Sequence, residues 1–265
     1  VAYLLRKFAQ MEQWIDTALL HAKTAEQKAQ AWTIRLQAYT AQNRLSDAVD
    51  ASLLALTLLG IKIPKKPNNF QVFVGLVKTK KILKQYSLDE LLLLPEMTDE
   101  KQLLIMDILG LTIPAAFWTS SNLTAMITFK LTQASIEKGY APISGYAFSW
   151  WAITECAMLG NIDSGDSFGR LGIALAEKNS LYIQQPTFFS GWMINSYKHA
   201  LKDSLPFLEK AYSLALGKGD FEYASYALNN NVQHRLHIGE PLPQLLERMK
   251  KSHQVLEDFN VKSSL

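Results

Sequence analysis

The chain reads as all-α, an α-solenoid of about six stacked helix pairs forming a superhelix. Three observations predict this. In Gln30–Gly60, Trp32, Leu36 and Tyr39 fall at i, i+4 and i+7, one helical stripe, and Ala48, Ser52 and Ala55 repeat that spacing in small side chains. Small residues let a second helix approach closely, so the large groups of the first fill the space between them. Next, Ala48, Gly165, Ser204 and Gln244 open second helices at intervals of about 40 residues or three times that, as in repeat arrays. Nor does any stretch read as a convincing strand.

The elements follow in order. Leu4, Leu5, Phe8, Met11, Ile15 and Leu19 share one side of a first helix over residues 1–22. Thr24 with Gln27 forms a capping box that opens the central hairpin, and Gly60 ends it. Pro64 and Pro67 make 61–69 a loop. Residues 70–86 resume as a helix with Phe73, Leu76, Val77 and Ile82 apolar, and Ser87 caps a short helix that stops before Pro95. Thr98 is the expected cap of the next helix, with Lys101 at N3, and Pro114 should kink or divide it. Helices follow over 122–138, 143–159, 164–178, 186–199, 201–216, 221–237 and 242–259, with Gly139 and Gly160 as stops. The expected pairs are 24–60, 70–95, 99–139, 143–178, 186–217 and 221–259, in one segment covering 1–265.

Composition narrows the class. Among 265 residues, 48% are hydrophobic and 19% charged, which suits helices that bury much of their surface against one another. A net charge of +3 is too small to argue for nucleic acid. The single cysteine, Cys156, excludes an internal disulfide framework and fits a reducing cytoplasm. No apolar run approaches the roughly 18 residues of a membrane span, Leu91–Leu94 being only four residues long, so no membrane role is expected. Both ends read as cut, which marks the chain as a segment of a longer protein.

Trp32, Leu36, Tyr39, Ala48 and Ala55 match the order and spacing of a tetratricopeptide unit. Beyond that unit, residues 58–64 (Leu-Leu-Gly-Ile-Lys-Ile-Pro), 94–99 (Leu-Pro-Glu-Met-Thr-Asp), 114–117 (Pro-Ala-Ala-Phe) and 158–165 (Met-Leu-Gly-Asn-Ile-Asp-Ser-Gly), followed by Phe168-Gly169, resemble the helical-repeat region of large cyanobacterial-type sensor kinases. In that family a serine/threonine-kinase-like domain and a STAND-type ATPase precede the repeats, and a GAF domain and histidine-kinase module follow. The resemblance covers roughly residues 31–259. It implies a repeat segment that is not itself an enzyme, inside an ATP-binding parent. No phosphate loop and no His-Arg-Asp catalytic loop occurs in this chain, so any kinase or ATPase activity would belong to flanking domains.

Candidate sites are sparse. Lys62, Lys65, Lys66, Lys78, Lys80, Lys81 and Lys84 lie in a stretch without acids between Asp50 and Asp89. Lys78, Lys80, Lys81 and Lys84 would make a docking patch for an acidic partner domain or a phosphorylated segment, against the plainer reading of a solvated face. Phe117, Trp118, Trp150, Trp151, Phe188, Phe189 and Trp192 form an aromatic cluster. If first helices line a groove, Trp151, Phe189 and Asn230 take equivalent groove-facing positions with Gln233 nearby, suited to a peptide or small effector. Core packing explains most such aromatics equally well. His234 and His237 have no Cys or carboxylate beside them, so no metal and no cofactor is expected. Glu155 and Asp163 are the acids expected near the aromatic cluster. Gly160, Gly165, Gly169 and Gly172 have no strand before them and read as small positions on a packing helix, as buried Cys156 reads as inert.

The expected function is a non-catalytic interaction or effector-sensing segment that relays signals between ATPase and kinase or GAF domains. Its partners would be domains of the same polypeptide, a peptide or protein, or a small effector. The alternatives are a passive spacer or dimerisation scaffold, and last an all-α enzyme with an aromatic cavity, for which the acidic metal motifs are missing.

Overall fold

A computed structural model describes residues 8–259 of the chain, and these are helical almost throughout. The helices are α1 (Phe8–His21), α2 (Ala25–Ala41), α3 (Leu45–Leu58), α4 (Asn69–Leu83), α5 (Leu88–Leu92), α6 (Glu100–Thr119), α7 (Ser121–Glu137), α8 (Ser144–Ile153), α9 (Ile162–Glu177), α10 (Gln184–Phe189), α11 (Leu205–Gly217), α12 (Phe221–His237) and α13 (Leu242–Phe259). Among the described residues there is no strand; one isolated bridge joins Glu96 and Tyr140. Leu4 and Leu5 of the expected first stripe lie outside the described residues.

Local chemistry fixes most boundaries. Thr24 accepts from Gln27 N while the Gln27 side chain accepts from Thr24 N, the reciprocal pair expected at the start of α2. Asn68 and Gln71 form a second capping box at α4, which the sequence reading passed over. At α6 the cap is Asp99, not Thr98: its carboxylate accepts from Gln102 N at 3.0 Å. Pro114 does not divide α6. Ile113, Ala115 and Ala116 around it are fully buried, and their burial outweighs one missing backbone hydrogen bond.

The chain falls into two compact units, one made of the chain up to Ser87 with Leu94–Ala141, the other of Leu88–Leu93 with the chain from Pro142 onward. In the first unit α2 and α3 pack as a hairpin, with Leu36, Ala48, Ala55 and Leu56 fully buried. Trp32 and Tyr39 are only half-buried, and cations cover their rings: the Arg35 guanidinium lies 4.9 Å from the Trp32 centroid and Arg44 4.1 Å from Tyr39. Met11 and Ile15 of α1 meet Ala31 and Ala38 of α2, and Arg35 pairs with Glu12 and Asp16 across the same contact. α6 packs on α2, α3 and α7. By length and composition α6 alone among the described residues is long and apolar enough to cross a membrane, a property the sequence reading did not register; half of that window is buried inside the protein.

Residues 70–95 hold two helices with separate principal partners, α7 for α4 and α9 for α5. Gln133 Nε2 donates to Thr79 Oγ1 at 2.8 Å in the α4–α7 contact, and Asn122 Nδ2 donates to Pro67 O and Asn69 Oδ1 at its start.

In the second unit α8 packs on α9, α10 on α11, and α11 on α12, while α10 also touches α8 and α12. All ten residues of α8 are buried. The α8–α9 seam is built of small side chains: a Cβ on Gly145 would stand 2.4 Å from Gly172 O, and one on Gly165 would stand 2.2 Å from Cys156 Sγ. Gly165, Gly169 and Gly172 thus stand at close packing positions, as expected of them, whereas Gly160 does not: it is a turn residue at φ +68° with nothing within 4 Å of an added Cβ. Two π-helical turns, Thr154–Met158 after α8 and Ser190–Ile194 after α10, complete the unit's distinctive backbone.

Candidate aromatic surface on the second unit

α8, α10 and α12 converge on a set of rings that no single helix could bury alone. Phe189 of α10 sits at its centre, with ring centroids 4.9 Å from Trp150, 5.5 Å from Tyr146, 5.6 Å from Trp192 and 6.4 Å from Tyr223. Inside it the Tyr223 hydroxyl bonds the Tyr146 hydroxyl at 3.1 Å, both groups buried. Burial drives both phenols well above their ordinary range, so the pair is neutral at every physiological pH.

At one edge the cluster comes to the surface. Phe188 and Trp192 stack 5.4 Å apart at 22°, Tyr226 lies 6.0 Å from Phe188, and Trp192 and Tyr226 are half-exposed. Asn230 joins them, its Nδ2 donating to Tyr226 O at 2.8 Å, one turn further along α12. The edge is therefore apolar rings bordered by an amide and a carboxylate, a mix able to hold an apolar group and orient it by hydrogen bonds.

Two acids lie against this edge. Glu222 accepts from the Tyr226 hydroxyl at 2.9 Å, and Asp220 caps α12 through Tyr223 N while accepting from Gln184 Nε2 at 2.8 Å. Burial raises both carboxyls above their usual range; for Asp220 the bonds from Gln184 and Tyr223 and the nearby Lys218 oppose it. A raised carboxyl keeps its proton in the folded protein to higher pH than in the unfolded chain. Stability therefore falls as pH rises from the ordinary Asp range through the raised value, and is level above it. Asp220→Asn keeps a good cap. The Gln184 Oε1 atom is buried without a partner, so turning that amide would let it accept from the new Asn. Urea denaturation from pH 4 to 8 should show wild type losing stability across that window and D220N losing less.

The sequence-predicted positions fall as follows. Phe189 is in the cluster and buried; Asn230 is on its edge; Gln233 is exposed; Trp151 is fully buried beside Phe168 at 6.4 Å, away from that edge. Phe117 and Trp118 belong to the first unit, where they pair edge to face at 5.2 Å. Among acids, Asp220 and Glu222 neighbour the rings. Glu155 instead accepts from Asn161, and Asp163 pairs with Lys198. Tyr223 and Tyr226 are not among the predicted residues, although Asp220-x-Glu222-Tyr223-x-x-Tyr226 places acids and phenols at the start of one helix.

The remaining candidates, and Asn231 beside Asn230, take plain structural places. Asn231 accepts from Arg235, which also pairs with Glu209 and Glu240 and so ties α12 to α11 and to the start of α13. His234 is buried against the backbone of Trp192, and burial lowers its pKa, with His237 adding to the effect. Among the described residues no group of three His, Cys, Asp or Glu is placed to hold a metal. Burial pushes the Cys156 thiol up to about 11, with Asp166 and Glu155 adding to it, so the thiolate is scarce at neutral pH. Lys78, Lys80 and Lys81 lie on α4 and Lys84 is its C-cap, and Lys78 reaches Glu137 at 4.0 Å.

No family profile matches the chain, and no solved structure matches it. Over 163 residues it is 24% identical to the hybrid signal transduction histidine kinase G of Dictyostelium discoideum, a match covering 58% of this chain and 5% of that protein. The chain is thus similar to a small part of a signal-transduction kinase.

Proposed function

We propose that this chain is a non-catalytic helical-repeat segment, tetratricopeptide-like in its hairpins, that senses a peptide or small effector within a larger signal-transduction protein. It relays that contact to kinase, GAF or ATPase domains of the same polypeptide in the cytoplasm. One observation carries the reading: α8, α10 and α12 meet through a shared ring cluster whose Trp192–Tyr226–Asn230 edge is open while its centre is closed. A ligand on that edge would bear on α10 and α12 together. Their relative position is set by the rings of Phe188, Tyr223 and Tyr226, so the contact would propagate along the stack. The similarity to part of a hybrid histidine kinase supports the signalling context.

The test is made on the full-length protein, reading autophosphorylation with and without stimulus. Trp192→Ala with Asn230→Ala should leave basal phosphorylation intact and reduce the stimulated increment by about tenfold, the scale on which surface hot-spot rings act. An unchanged increment would leave the segment a spacer.

A further inference from the structure

The first unit carries a surface of another kind. α4 packs on α7, and Val72, Thr79 and Leu83 mark its buried face. The opposite face is apolar and open: Phe70 is 73% exposed, Phe73 61%, Val74 50% and Val77 49%. Phe70, Val74, Val77, Lys81 and Lys84 succeed one another at helical spacing along a single line, with Phe73, Lys78 and Lys80 flanking it. The line is segregated along its length. Its first two turns are hydrocarbon and its last two are ammonium.

Four large exposed apolar side chains in two turns are more than a solvated face requires. Solvation explains the lysines but not the rings between them. Burial lowers the pKa of Lys130 on α7, and the charge of Lys78 lowers it further, so cations of α4 and α7 already crowd one another here. Sequence position reinforces the charge, since no acid occurs between Asp50 and Asp89. Asn122 ties the start of α4 to the start of α7, so the end of α6 with Trp118, 68% exposed, lies at the apolar end of the line.

We propose that the open face of α4 is a docking site for an acidic amphipathic helix of a partner protein. That helix carries aliphatic side chains over two turns against Phe70, Phe73, Val74 and Val77, and carboxylates over the next two against Lys80, Lys81 and Lys84. The axial order of hydrocarbon and charge chooses this occupant over a lipid surface. A helix lying flat on a bilayer meets one depth along its whole length, which would carry Lys81 and Lys84 to the level of Phe70. A helix with the same two-part order satisfies both halves at once, through anchors at i, i+3, i+4 and i+7 and then through charge.

The probe is a synthetic helical peptide of about five turns, fluorescently labelled, with leucines on one face of its first half and glutamates on the same face of its second. A control peptide of identical composition intersperses the two. Measured by anisotropy with the 265-residue chain, the segregated peptide should bind at least about tenfold tighter than the control, and added salt should weaken it. Lys81→Glu/Lys84→Glu and, separately, Phe73→Ser/Val77→Ser should each remove about tenfold or more. Both pairs are exposed, so circular dichroism should show the fold retained. Equal binding of the two peptides overturns the proposal. So does co-sedimentation with phosphatidylserine–phosphatidylcholine vesicles that the segregated peptide fails to displace, or salt-sensitive dimerisation of the chain that the same variants abolish without any peptide binding. Trp192→Ala should leave peptide binding unchanged, which separates this surface from the one on the second unit.

Discussion

Gly172→Ala and Gly145→Ala are each expected to destabilise the second unit by about 3 kcal/mol, the range for overpacking a close contact. Helix propensity argues the other way, since Ala in a helix interior is favoured over Gly by about 1 kcal/mol. The contact wins because a new Cβ at 172 would stand 2.7 Å from Gly145 O and from Ser149 Oγ, and a Cβ at 145 would stand 2.4 Å from Gly172 O. Backbone atoms of a fully buried helix cannot rotate aside as a side chain can. Gly165→Ala meets a Cβ position 2.2 Å from Cys156 Sγ and 2.9 Å from Ala152 O, so it belongs with them. Gly160→Ala is the informative comparison. Nothing lies within 4 Å of its added Cβ, but its φ is +68°, so its cost is backbone strain of about 1 kcal/mol. Urea unfolding followed by tryptophan fluorescence should rank the three seam variants well below Gly160→Ala. Wild-type stability for Gly172→Ala would mean that α8 and α9 do not approach through these glycines.

The elements themselves were legible because their ends are written in side chains. α12 spans the residues its apolar spacing predicts, α13 starts where predicted, and the Thr24–Gln27 box stands at the start of α2. Facing was harder to read. α8 is buried on every side, so its sequence carries no polar stripe to tell which of Trp150 and Trp151 points toward α10. The π-helical turns add a second difficulty. A five-residue turn rotates everything after it away from the 3.6-residue spacing, and one such turn begins at Ser190, so Phe189 and Trp192 no longer share a register countable from sequence. Asn230 could be placed because α12 is regular throughout. Pairing between distant elements was beyond reach: nothing local in 70–95 says that α4 meets α7 and α5 meets α9, since that choice is made by which apolar faces remain uncovered elsewhere.

Phe189→Ala is expected to be the costliest single truncation in the second unit, about 4 kcal/mol on the scale of buried Phe→Ala changes. Its ring neighbours Tyr146, Trp150, Phe188, Trp192 and Tyr223, drawn from three helices and the π-helical turn after α10, so removing it opens a cavity that no one neighbour can fill by a rotamer change. The same cavity would loosen the packing around the Tyr146–Tyr223 hydroxyl pair, whose burial is what makes the bond worth having. Trp192→Ala removes a larger side chain but a half-exposed one, and should cost less than about 2 kcal/mol because its outer face never left water. Phe189→Leu keeps most of the volume and should recover all but about 1.5 kcal/mol. Thermal and urea unfolding of the three variants give the order Phe189→Ala, then Phe189→Leu or Trp192→Ala, then wild type. That order also separates scaffold from surface in any binding experiment: loss of a response in Phe189→Ala reports an unfolded unit, whereas loss in Trp192→Ala with the fold intact reports the open edge. Should Phe189→Ala prove as stable as Trp192→Ala, the ring at 189 would be lining a solvent-filled groove and α8, α10 and α12 would not share a closed core.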